Sequence, residues 1–482
     1  MGGGLWGLCF GKEPLTVVPW LALVPLLTLL GRPHAWFLGF LHGLGFWLVS
    51  IPWIAPTLDN YGQLSPWLAI VGLIALSSFL ALYQALFAWL GSPLWLRGGL
   101  VSLLGLPSLW VVTEWLRSHL FSGFPWNLAA YAWVDVPGAL QTSAWIGAFG
   151  VSFLVVFCNV GIAKAWQMRS WKLVFVTVNI VLLILAAGGR WAGRGVEYGQ
   201  GWPMSVRILQ PNFDIAMDWD RDEVDRNMKK LFSMSREACD VPGALILWPE
   251  SAGWPYSFFR DDEFRQQVEQ LAGEGCPVLM NSSTSSESGD HNSVLLIDKD
   301  GVAGQYDKHL LVPFGEYVPM SQWVPFLNQI ARNVGSFSPG SKTSPLQFGN
   351  ENLAIAVCYE ITYPGEVARQ VRQGATTIVT VTNDAWYGDS TAPWQHFNAA
   401  RFRAAESRRY VTRAALTGVS AVVAPDGSVD QEFGVGAEGI LKADVSGAHG
   451  LTLYSAAPWI IPLLSFVTLG FAIFFARRTF RR

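Results

Sequence analysis

Residues 1–189 hold only 7 of the chain's 33 Lys and Arg and 4 of its 36 Asp and Glu, although they make up well over a third of its 482 positions. A water-facing surface carries roughly a quarter to a third charged side chains, so this part of the chain is expected to face lipid. A bilayer core about 30 Å thick needs about 20 mostly apolar residues per helix. Such runs lie near 15–31, 35–56, 67–90, 97–118, 138–165, 171–189 and 457–476, which gives seven expected spans. The first eleven residues are apolar but short for a crossing, and they lack the charged start and small-residue cleavage site of a removable signal peptide.

Lys and Arg beside the spans set the expected orientation, because cytoplasmic loops retain them. Arg477, Arg478, Arg481 and Arg482 place the tail 477–482 in the cytoplasm. Residues 190–456 then lie outside, and the turn with Lys164, Arg169 and Lys172 lies inside, as do Arg32 and Arg97. The loop 57–66, with Asp59 and no basic residue, falls outside; Lys12 does too if the first run does not cross. From 190 to 456 there are 22 basic and 32 acidic residues, so the exterior part is acidic. Phosphate binding needs a basic surface, which argues against nucleic acid as a partner.

Block 204–450 has a different texture. Short runs rich in Val, Ile and Thr, at 205–210, 244–249, 277–282, 293–298, 352–358, 376–382, 411–416, 420–424 and 440–445, predict strands. Charged amphipathic stretches at 219–238, 261–273, 364–373 and 394–408 predict helices. Strands interleaved with helices, with a hairpin at Pro425-Asp426-Gly427, indicate an α/β domain with a mixed sheet. The Ser-rich piece 282–290 is expected to be a solvated loop. The organisation is thus a transmembrane bundle 1–190, an exterior domain 204–450, a C-terminal helix 457–476 and a basic tail.

Five cysteines, at 9, 158, 239, 276 and 358, form no Cys-x-x-Cys motif and no metal-ligand cluster. Cys9 and Cys158 sit in membrane runs as small apolar fillers, while Cys239 and Cys276 are free to pair or stay reduced. Cys358 ends an apolar strand and is followed at once by Tyr359 and Glu360; strand ends are where α/β sheets place ligands. Glu250 ends another apolar strand, where an unpaired carboxylate would be costly. Lys308 precedes a third apolar run. Taken singly, these are a buried thiol, a loop-capping acid and a surface lysine. Together they suit acyl chemistry. A thiol of pKa about 8.5 is mostly protonated at neutral pH and needs a base, which Glu250 could supply. Lys308 and the backbone N–H after Cys358 could hold the oxyanion. A Cys–His pair with His309 or His396 is the rival arrangement.

These residues resemble the nitrilase superfamily, whose Glu-Lys-Cys triad sits on an αββα sandwich, and more narrowly its membrane-bound branch, the bacterial apolipoprotein N-acyltransferases. The resemblance rests on Trp248-Pro-Glu-Ser251, Asp307-Lys-His-Leu-Leu-Val-Pro-Phe-Gly-Glu-Tyr-Val-Pro319, Val357-Cys-Tyr-Glu360, Thr382-Asn-Asp-Ala-Trp-Tyr-Gly388 and Trp394-Gln-His-Phe397. In the membrane part it rests on Thr113-Glu-Trp-Leu-Arg117 and Gly123-Phe-Pro-Trp126. It implies Glu250 as general base, Lys308 as oxyanion-stabilising lysine and Cys358 as nucleophile, with Glu316, Tyr359, Glu360 and Trp219 supporting catalysis or handling substrate. It also implies eight transmembrane helices, the first being a shortened one that includes residues 1–11, and no cofactor or metal. One departure is Arg413-Ala-Ala-Leu-Thr-Gly418, where the family usually has Asn and Thr between Arg and Gly.

The implied reaction takes an acyl chain from a membrane phospholipid through a Cys thioester to the α-amine of a diacylglyceryl apolipoprotein; the alternatives are a membrane-tethered nitrilase-like amidase or hydrolase, which would deliver the acyl group to water, and a non-catalytic membrane scaffold. The implied location is the bacterial inner membrane with the catalytic domain in the periplasm, and a monomer is the default assumption. Segments 254–259 and 320–327 are rich in aromatic and apolar residues and are expected to guide acyl chains or to pack under loops. Glu114 and Arg117, within a span, are expected to pair rather than to catalyse.

Overall fold

The segregation of charge along the chain coincides with a division into two units, Met1–Arg194 with Thr452–Arg482, and Gly195–Leu451. The computed structural model describes all residues except 1, 14, 61, 63, 199–202, 214–219, 319–336, 342–343 and 480–482.

In the first unit, Pro66–Arg97, Gly99–His119, Ala139–Met168 and Trp171–Trp191 are long and apolar enough to cross a membrane. Ala35–Ser50 and Ile54–Asn60, bent by 55°, make a fifth span if taken as one. The expected runs 15–31 and 457–476 correspond to shorter apolar helices, Val18–Leu29 and Ile460–Ala476. The six-residue helix Gly2–Gly7 lies against Ala35–Ser50, and a Cβ on Gly3 would fall 1.9 Å from the His42 carbonyl oxygen. The glycines at the start of the chain therefore allow close backbone packing. Glu114 and Arg117 are buried and bind the following loop. Glu114 Oε1 accepts from the Ala129 N–H at 2.7 Å, and Arg117 Nη1 donates to the carbonyls of Trp126 at 2.7 Å and of Phe124.

The second unit holds a two-stranded sheet, β1 (Val196–Tyr198) with β14 (Ala448–Gly450), and two six-stranded sheets. One sheet has the order β13 (Gly439–Val445), β2 (Met204–Gln210), β3 (Leu245–Leu247), β4 (Val278–Ser286), β5 (Gly289–Asp298), β6 (Gly301–Asp307). The other runs β12 (Val429–Phe433), β11 (Ser420–Val423), β10 (Val411–Ala415), β9 (Thr377–Thr382), β8 (Glu351–Val357), β7 (Leu346–Phe348). Each has a parallel centre, β2-β3-β4 in one and β8-β9-β10 in the other, with antiparallel strands outside.

Side-chain alternation along each strand builds the layers. Leu353, Ile355 and Val357 of β8 pack between the sheets with Leu245 and Leu247 of β3, whereas Ala354 and Ala356 face the helices Pro364–Arg372 and Ala392–Ser407. On the opposite side, Ile246, Val278 and Met280 meet the helices Arg221–Ala238 and Asp262–Gly273. The result is helix, sheet, sheet, helix, the αββα sandwich that the resemblance implies. The piece 282–290, expected to be a loop, instead lies in the β4–β5 hairpin, where Thr284 and His291 are paired partners.

Cys239 and Cys276 form a disulfide that ties the end of Arg221–Ala238 to the start of β4 across 37 residues. A crosslink closing a loop of that length stabilises by about 4 kcal/mol in the chain-entropy view. Replacing both cysteines with Ser is therefore expected to lower the unfolding free energy of this unit by about 2–4 kcal/mol, measured by denaturant titration in detergent. A loss below about 1 kcal/mol would contradict this, because it would mean the reduced chain is already constrained there.

Candidate active site

Lys308 directly follows β6. It stands two residues beyond Tyr306, which packs between the sheets, and so emerges on the same side. Its Nζ lies 2.9 Å from Glu316 Oε1 and 3.5 Å from Glu250 Oε1. Glu250 comes from the loop after β3. Its Oε2 accepts from the Asn383 N–H at 3.0 Å, just past β9. Asn292 of β5 bridges the two acids, its Nδ2 donating to Glu250 Oε1 at 3.0 Å and to Glu316 Oε1 at 2.7 Å. The Val312 N–H donates to Glu316 Oε2 at 2.8 Å. Burial alone would lower the Lys308 pKa, but Glu316 and Glu250 outweigh it and hold the ammonium above the ordinary lysine value. The cation is therefore fixed and shared between two carboxylates.

Cys358 opens the short turn Cys358–Thr362 after β8 with φ of 51°. Strict alternation would send its side chain to the helix side with Ala354 and Ala356. The left-handed backbone breaks the alternation, and Cys358 packs with the inter-sheet cluster. That conformation costs a non-glycine residue about 1–2 kcal/mol, and it persists only where neighbours over-determine it. The residue is buried, at 6% exposure. Burial pushes its pKa far up and Glu250 adds to this, while Lys308 and a hydrogen bond with Thr382 act in the opposite sense without overcoming them. The resting group is thus the thiol, and any attack by sulfur must shed its proton to a neighbour.

Glu360 is wholly buried and braces this turn. Its carboxyl accepts from the Val357 N–H at 2.8 Å, the His309 N–H at 2.7 Å, the Leu310 N–H at 3.0 Å and the Tyr306 hydroxyl at 3.1 Å. It thereby joins the chain just past Lys308 to the chain just before Cys358. Burial lifts its pKa to about 7 against the pull of the Val357 and Leu310 N–H groups and the Lys308 charge. Tyr359 is buried edge-on to Tyr363 at 5.3 Å. Trp219 and 320–327 lie outside the described residues. In 254–259, Phe258 belongs to the core and Tyr256 stacks on Phe264, while Trp254 and Phe259 are exposed.

The two histidines meet backbone carbonyls. His309 Nδ1 lies 2.9 Å from the Gly340 carbonyl oxygen, and His396 Nε2 lies 2.9 Å from the Cys358 carbonyl oxygen. Sequence reasoning missed Asn292 and the Asn383 N–H, because an Asn at the polar start of a strand and a main-chain donor carry no pattern. It also passed over Tyr387, half-buried, whose phenol is pushed well up by burial and by Cys358, Asp384 and Glu250.

Residues 2–161 match the apolipoprotein N-acyltransferase N-terminal domain, and residues 206–449 match the carbon-nitrogen hydrolase family. A Geobacter metallireducens protein named apolipoprotein N-acyltransferase is 33% identical over 94% of this chain and 90% of its own length. Proteins of the same name from Allorhizobium ampelinum and Haemophilus ducreyi are 31% and 28% identical, covering 86% and 98% of this chain and 80% and 95% of theirs. With both regions matched in order and relatives aligned over most of their length, the chain belongs to the apolipoprotein N-acyltransferase family.

Proposed function

We propose that this chain moves a fatty acyl group from a membrane phospholipid to the α-amine of the S-diacylglyceryl cysteine at the start of an apolipoprotein, through a thioester on Cys358. In the first half, sulfur attacks the ester carbonyl as its proton passes to Glu250, and the oxyanion forms against the Lys308 ammonium. The bond from carbonyl carbon to glycerol oxygen breaks, and Glu250 returns the proton to that oxygen, releasing a lysophospholipid. In the second half, the amine nitrogen attacks the thioester and gives a proton to Glu250. The C–S bond then breaks, sulfur recovers the proton and the amide leaves. Glu316 and Asn292 hold Lys308 and Glu250 in place throughout, and Glu360 and Tyr359 support the turn that carries the thiol.

The observation that carries this reading is the buried ammonium of Lys308 held between Glu250 and Glu316, with Cys358 buried in the inter-sheet cluster, in a chain of this family. Both substrates are lipids, which accounts for a membrane part on the same chain. The location we propose is the bacterial inner membrane, with Gly195–Leu451 on the periplasmic side and the C-terminus in the cytoplasm. The Lys and Arg distribution supports this orientation, and so does the Cys239–Cys276 disulfide, since such bonds persist in oxidising compartments.

The test is a product assay with phospholipid vesicles and a diacylglyceryl-cysteine peptide. We expect N-acyl peptide and lysophospholipid in equal amounts. Free fatty acid as the main product, with the peptide unchanged, would replace acyl transfer by hydrolysis.

A further inference from the structure

Behind Cys358 lies a run of buried polar side chains that the chemistry above does not use. His396, on Ala392–Ser407, has its Nε2 at 2.9 Å from the Cys358 carbonyl oxygen, and since a carbonyl only accepts, Nε2 carries the proton and donates it. His396 Nδ1 lies 3.0 Å from Asp384 Oδ1 and 3.1 Å from Arg413 Nη2. Asp384 also accepts from Thr382 Oγ1 at 2.9 Å and, through Oδ2, from Arg413 Nη2 at 2.7 Å. Arg413 Nε donates to the Val419 carbonyl at 2.9 Å. Burial would raise the Asp384 pKa, but Arg413 and His396 overcome it and hold the carboxyl at about 2, so it is ionised. Gly418 closes the set, because a Cβ there would fall 2.3 Å from Asp384 Oδ2.

The peptide that His396 grips is the one whose N–H belongs to Tyr359. A trans peptide is planar, so fixing its carbonyl fixes the opposed N–H. A hydrogen bond accepted at the carbonyl also polarises the group and strengthens the N–H as a donor. We propose that His396, held at Nδ1 by Arg413, which Asp384 in turn fixes, is a positioning residue that orients and polarises the Tyr359 N–H as an oxyanion donor beside Lys308. The proposal rests on the acyl-transfer reading. None of the three side chains touches substrate, and their effect falls on the transition state rather than on lipid binding.

The test is single-turnover acylation of Cys358 by vesicles of phosphatidylethanolamine and phosphatidylglycerol, followed by intact mass. His396→Leu is expected to slow thioester formation about 100-fold, with the half-saturating vesicle concentration unchanged. His396→Gln, whose amide N–H can reach the same carbonyl, is expected to recover most of the rate, whereas His396→Asn is too short and stays slow. Gly418→Ala displaces Asp384 without touching His396 and is expected to slow the step as well. Equal rates for the Leu and Gln variants overturn the proposal, as does a smaller reacting fraction with a wild-type rate constant, which a purely structural role would give. If the Leu variant does not fold, the Gln and Asn variants decide, and equal rates for those two overturn the proposal. A wild-type protein that forms no thioester would instead remove the acyl-transfer reading itself.

Discussion

Incubated with phospholipid vesicles and no acceptor, the purified protein is expected to gain one fatty-acyl mass that neutral hydroxylamine removes, and the Cys358→Ala variant is expected to gain none. The thiol rests protonated and buried, so it does not acylate at random. On the proposed mechanism it reacts only when an ester lies against it and Glu250 takes the proton. With Cys358 buried, at 6% exposure, water has poor access to the thioester, which should accumulate until an amine arrives. Replacing Cys358 with Ala deletes a single atom from the set and leaves the Lys308 contacts to Glu250 and Glu316 in place. The loss is therefore chemical, on the order of 10⁶ in rate, the scale on which removal of a catalytic nucleophile registers. An adduct on the Ala variant, or none on the wild type with rapid quenching, would sink the thioester.

The central strands were legible because burial on both faces leaves a mark in sequence. Runs such as Leu-Ala-Ile-Ala-Val before Cys358 and Ile-Val-Thr-Val before Thr382 can be little else. Of the edge strands of the two six-stranded sheets, β6, β7 and β12 were not legible, whereas β13 was read at 440–445. Gly-Val-Ala-Gly-Gln-Tyr-Asp of β6 and Val-Asp-Gln-Glu-Phe of β12 are half exposed, so they carry no hydrophobic period to detect. The hairpin within 282–290 was missed for the same reason: Ser and Asp make polar strands that resemble loops. In the site, Glu250, Lys308 and Cys358 were visible as polar residues interrupting apolar runs, and the family motifs added Glu316 and Glu360. Nothing in the sequence signals that Cys358 adopts a left-handed backbone, or that Glu360 joins two loops through their N–H groups, because both depend on contacts between residues far apart in the chain. His396 was considered as a base for the thiol. Its place at the Cys358 carbonyl depends on how Ala392–Ser407 packs against β8, which helical spacing alone does not fix.

Lys308→Met is expected to abolish transfer and to destabilise the second unit as well. The Lys308 side chain is 1% exposed, and its ammonium separates two carboxylates that also share Asn292 Nδ2. Without it, Glu250 and Glu316 face one another in a buried site with a single neutral donor between them, and breaking a buried ion pair from one side costs about 3–5 kcal/mol. The site can relieve this by taking up a proton on one acid. If Glu250 takes it, the base is lost together with the oxyanion-stabilising charge. Removal of one oxyanion donor alone lowers kcat by about 10²–10³, so a combined loss beyond about 10³ is expected. Lys308→Arg keeps the charge, but its planar fork in place of a compact ammonium does not fit between the two acids. It should therefore retain more stability than Met while remaining slow. Unfolding midpoints and single-turnover acylation, measured on both variants, separate the two effects. A Met variant that folds as stably as wild type and still acylates within about tenfold of its rate would show that Lys308 neither neutralises the acids nor meets the oxyanion.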